Sequence, residues 1–73
     1  MKHPTIDLHG YTIDEALNCF MIRLFNCQSF KEDYLEVITG TGIIKEKVLD
    51  YLNEMDYEYL IWANNLGKIL VEV

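Results

Sequence analysis

Twice along this chain the hydrophobic period changes from two residues to about 3.6, and each change passes through glycine. Thr5 to Leu8 alternates, with Ile6 and Leu8 on one side and Thr5 and Asp7 on the other, which predicts a strand. Gly10 ends it. Thr12 and Glu15 then have the spacing of a capping box, and a helix is predicted to about Gln28. Its apolar stripe is Ile13, Ala16, Leu17, Phe20, Leu24 and Cys27, with Met21, Ile22 and Phe25 expected to widen it. Tyr34 to Thr39 is β-branched and aromatic, a second strand. After Gly40-Thr41-Gly42 a second helix is predicted from about Ile43 to Met55, with Ile44, Val48, Leu52 and Met55 inward.

Two such strand–helix units constrain the fold strongly. Crossovers between parallel strands are almost always right-handed, so the first three strands run parallel and both helices fall on one face. Tyr57 to Ala63 predicts a third strand and Lys68 to Val73 a fourth, joined by a turn at Asn64-Asn65-Leu66-Gly67. The expected order is β-α-β-α-β-β: an α/β (α+β) two-layer sandwich with a four-stranded mixed sheet. With 73 residues, a single domain over 1–73 is the ceiling.

Composition narrows the function classes. Twelve acids against six bases give a net charge of −6. Nucleic-acid binders usually carry a basic footprint, so any contact with DNA or RNA must use a local patch. No apolar run approaches the ~20 residues that cross a bilayer, and MKHPTID is not a signal sequence, so a cytoplasmic protein without a membrane partner is expected. Cys19 and Cys27 lie roughly 12 Å apart along one helix, beyond the ~7 Å a disulfide allows, so both are expected to be free thiols.

Four features could carry chemistry. Asp7 and His9 are two apart at a strand end; a carboxylate and an imidazole on one face can form a general base or hold a divalent ion, or Asp7 can simply cap the turn. Gly40-Thr41-Gly42 at a helix start can bring backbone amides to a phosphate, or be a plain connection. Lys45 and Lys47 oppose the helix dipole, which fits phosphate binding as well as an ordinary solvated face. Tyr57 and Tyr59 share a face and could stack bases or cover the core.

The order IDLHG, a capped helix containing Glu15-Ala16-Leu17, a strand ending in ITGTG, a helix and a terminal hairpin resembles the Smr (small MutS-related) domain over about Ile6 to Val73. The resemblance implies a fold like the C-terminal domain of bacterial translation initiation factor three. It also implies nucleic-acid processing, as a nicking endonuclease on DNA or RNA assisted by Mg or Mn. Asp7 and His9 would then be catalytic, with Gly10, Thr39, Gly40, Thr41, Gly42, Lys45 and Lys47 binding nucleic acid. The alternative is a non-catalytic module that binds nucleic acid, or a protein or ribosomal partner. Thr39 and Thr41 stand where many members carry a histidine and a basic residue, and the last loop lacks consecutive glycines.

Overall fold

The computed structural model describes residues 3–62 and 65–73. Its elements run β1 (Thr5–Asp7), α1 (Ile13–Ser29), β2 (Tyr34–Ile38), α2 (Ile43–Glu54), β3 (Tyr59–Trp62) and β4 (Asn65–Glu72). The expected order holds. The predicted turn does not hold as drawn: β4 begins at Asn65, so Leu66 and Gly67 are strand residues, while Ala63 and Asn64 lie outside the described residues.

Local chemistry sets the helix ends. The Thr12 hydroxyl accepts from the Glu15 amide at 3.2 Å, and the Thr12 amide donates to the Glu15 carboxylate at 3.0 Å. The bond from the Thr12 amide holds the Glu15 carboxyl below its usual pKa. At the other end of α1, Glu32 N–H reaches back to Cys27 O and Lys31 N–H to Gln28 O, with Lys31 at φ 57. The end of α2 repeats the motif: Tyr57 donates to Leu52 and Asp56 to Asn53, with Asp56 at φ 62. These are Schellman closures built without glycine, which is why composition alone gives no stop signal there.

The strand order is β1-β2-β4-β3. β1 and β2 are parallel, while β4 lies antiparallel between β2 and β3. Alternate residues of the strands (Ile6, Leu35, Val37, Ile69, Val71) form one buried cluster with Ala16, Phe20, Leu24 and Cys27 of α1 and Val48 and Leu52 of α2. Both helices therefore cover the same face. Phe20 lies at the centre, edge-on to Tyr51 with ring centroids 5.8 Å apart. Both cysteines are free, and burial pushes the Cys27 thiol pKa up.

Met21, Ile22 and Phe25 do not widen the buried stripe; all three are exposed, Phe25 at 67%. A helix turns about 100° per residue, which carries them well around from the Phe20–Leu24 line. Met55 is also exposed, because it caps α2 from outside the helix. Tyr57 and Tyr59 pack against the core cluster, so they do not supply the open sheet face.

That open face carries Thr5, Tyr34, Glu36, Lys68, Leu70 and Leu60. On it the Lys68 ammonium lies 2.8 Å from the Glu36 carboxylate, which also accepts from the Thr5 hydroxyl at 3.0 Å. The Lys68 bond is the main reason the Glu36 carboxyl pKa is lowered. A lowered folded pKa stabilises the protein above the ordinary carboxylate value of 4.5, and the contribution is lost as pH falls through the folded value. Glu36→Gln should therefore cost about 1 kcal/mol at pH 7 and close to nothing well below pH 4.5, read by urea denaturation at both pH values.

Candidate functional site

The parallel β1–β2 pair brings the two glycine junctions together. Ile6 is opposite Val37 and Asp7 opposite Ile38, and the ladder runs one residue further through Leu8 N–H to Ile38 O at 2.8 Å. Residues 8–10 and 39–42 therefore leave the sheet side by side, outside the carboxyl ends of neighbouring parallel strands. Open α/β sheets commonly bind ligands at such ends.

The first loop is a tight turn. Tyr11 N–H returns to Leu8 O at 3.3 Å, and Gly10 has φ 87, the positive value that the third position of a type II turn requires. Asp7 and His9 are exposed on either side of buried Leu8, so the strand alternation continues through His9 although β1 ends at Asp7. One Asp7 oxygen, Oδ1, accepts from the His9 backbone amide at 2.9 Å. The turn-capping role is thus real. Among the described residues no other hydrogen bond engages Asp7 Oδ2 or the His9 ring.

The second loop is pinned from below by β4. Gly67 O accepts from the Thr39 amide at 2.7 Å and the Gly40 amide at 3.1 Å. Buried Thr39 turns its hydroxyl onto Gly40 O at 2.8 Å, with Gly67 O at 3.3 Å. Thr39 shapes the loop from inside and does not face solvent. Gly40 has φ 73, while Thr41 and Gly42 are exposed. Gly42 begins α2 without a side-chain cap, and the Thr41 and Gly42 amides donate to no acceptor among the described residues. Uncommitted amides at a helix N-terminus favour an anion.

Gly67 is the residue that sequence reasoning placed in a turn and the structure places under the loop. A Cβ there would lie 3.0 Å from Gly40 Cα and 3.2 Å from Gly40 C. Both are backbone atoms and cannot rotate away. Gly67→Ala should cost about 1–3 kcal/mol by this overpacking and speed amide exchange at Thr39 and Gly40, whereas unchanged stability would show that the two backbones separate freely. A glycine inside an alternating strand pattern was the available signal.

Lys45 and Lys47 do not form one patch. Two residues apart on a helix means about 200° of rotation. Lys45 is half-buried, while Lys47 lies on the solvent side with Glu46, Asp50 and Asn53. Sequence reasoning also overlooked Lys68 as a cation at this end of the sheet. It pairs in register with Ile38, just before the loop, and its ammonium lies 5.8 Å from the Trp62 ring centroid.

Among the described residues no group of three or more His, Cys, Asp or Glu side chains gathers as a metal cluster. Asp7 nevertheless offers a carboxylate oxygen outside its turn bond, which suits a hard ion that takes its remaining ligands from water and substrate oxygens.

A small two-layer α/β module, with an Asp-Leu-His-Gly turn beside a Gly-Thr-Gly loop, is the class of protein that fold and site define. The Smr domain family model matches residues 6–62, and the chain belongs to that family. The solution structure of the SMR domain of NEDD4-binding protein 2 is similar to it, with 30% identity and a TM-score of 0.82, over 99% of this chain and 86% of that one. No curated protein matches at a significant level.

Proposed function

We propose that this Smr domain processes nucleic acid, cutting a phosphodiester of DNA or RNA at the junction of its two loops. The observation that supports the reading is the β1–β2 pairing, from which the Asp7–Gly10 turn and the 39–42 loop leave the sheet side by side, the second with uncommitted amides at the start of α2. The Thr41 and Gly42 amides hold the phosphate, and Lys45 adds positive charge from the first turn. The His9 imidazole accepts a proton from the attacking water. Asp7 keeps the His9 backbone in place through Oδ1. Asp7 Oδ2 is the group that would hold Mg or Mn, leaving the His9 ring to take the proton; when bound, such an ion would polarise phosphoryl oxygen and lower the pKa of water.

A second reading, binding of nucleic acid or protein without cleavage, is favoured by the same Asp7–His9 contact, because capping a turn requires no substrate. Incubation with supercoiled plasmid and with single-stranded RNA, with and without Mg²⁺ or Mn²⁺, separates the two. Cleavage lost in His9→Ala supports the nuclease. No cleavage, or equal cleavage by wild type and variant, removes it and leaves binding alone.

A further inference from the structure

The sheet has two edge strands, β1 and β3, and β3 pairs only with β4 among the described residues. Glu72 N–H donates to Glu58 O at 2.9 Å, and bonded pairs alternate along an antiparallel ladder. Glu58 and Leu60 therefore turn their backbone groups toward β4. Tyr59 and Ile61, opposite Val71 and Ile69, turn theirs to the open edge. Tyr-Leu-Ile-Trp contains no charge and no proline, the usual devices that blunt an edge; only a register shift at Ile61/Trp62 interrupts it. Leu60 is 69% exposed, and Ile61 and Trp62 are exposed too.

Beside this edge lies a groove of about 220 Å³ lined by Tyr34, Glu58, Tyr59, Leu60, Leu70 and Glu72. Its lining combines Leu60 and Leu70 with two carboxylates, Glu58 and Glu72, neither in an ion pair among the described residues. Tyr34 and Glu72 pair at the start of β2, so the groove sits at the opposite end of the sheet from the 39–42 loop.

We propose that the β3 edge takes up an extended segment of a partner protein as a fifth strand, one in which aliphatic residues alternate with Lys or Arg. The Tyr59 and Ile61 backbone groups supply the ladder. A lysine or arginine stem lies along Leu60 and Leu70 while its cation meets Glu58 and Glu72. Charge chooses this occupant: a second copy brings another net −6 and the same two carboxylates to the groove.

A library of random ten-residue peptides displayed on phage, selected on the folded chain, tests this. The enriched sequences should alternate aliphatic with basic residues and lack proline. An enriched peptide at saturation should slow amide exchange at Tyr59 and Ile61 about tenfold or more. Combining Glu58→Lys with Glu72→Lys should weaken it about tenfold or more, and so should Leu60→Asp, whose exposed site leaves the core intact. Four results would each overturn the proposal: no enrichment, enrichment of acidic or proline-containing peptides, binding indifferent to the charge reversal, or protection at residues 40–45 instead. Concentration-dependent protection of Tyr59 and Ile61 without peptide would also overturn it, assigning the edge to a second copy.

Discussion

Phe20→Ala is expected to remove about 3–5 kcal/mol of stability, enough to leave much of the chain unfolded at room temperature. Phe20 is fully buried between the sheet and both helices and stacks edge-on with Tyr51. Its truncation loses the transfer free energy of the ring and leaves a cavity that two helices and a sheet cannot close. Native proteins keep only about 5–15 kcal/mol, and a chain of this size sits near the bottom of that range. Phe25→Ala on the same helix is the control. Phe25 is exposed, and its loss should change stability by about 0.5 kcal/mol or less. Urea midpoints of the two variants check the pair. Equal losses would mean that the outer face of α1 is covered in solution.

His9→Ala is expected to lower cleavage by about 10²–10⁴-fold, the usual contribution of a positioned acid or base, and Asp7→Asn to lower it by removing the charge that would hold the metal. Asp7→Asn is the informative partner because it retains an oxygen that can accept from the His9 amide. The turn should survive while the carboxylate charge is lost. Asp7→Ala removes both and should add about 0.5–1.5 kcal/mol of destabilisation from the missing hydrogen bond. Rates for the three variants, set beside their thermal midpoints, separate chemistry from turn geometry. If Asp7→Asn cuts as fast as wild type, Asp7 is a turn cap and nothing more.

Much of the fold was legible in the sequence because it depends on short-range signals. The Thr12–Glu15 box, the Phe20–Leu24 stripe and the alternation at Ile69 and Val71 each specify one element, and the two strand–helix units imply parallel β1 and β2. The insertion of β4 between β2 and β3 was not legible, because it depends on which strands pair at long range. The hydrophobic count on α1 also misled: Met21, Ile22 and Phe25 are apolar yet point away from the core. At the site, the adjacency of Asp-Leu-His-Gly and Gly-Thr-Gly followed from topology. The pinning of Gly40 by Gly67 did not, because a close approach of two backbones is visible in sequence only as a glycine. The separation of Lys45 and Lys47, by contrast, was legible, because two residues on a predicted helix are about 200° apart.

The central claim is that the 8–10 turn and the 40–42 loop form one surface for nucleic acid. Titration of the ¹⁵N-labelled chain with a short single-stranded oligonucleotide at low salt, read as amide shift changes, tests it most directly. Changes should concentrate at His9, Gly10, Thr41, Gly42 and Ile43, and shrink as salt is raised. Changes centred on the β3 edge or the outer face of α1, or none at either loop, would contradict it.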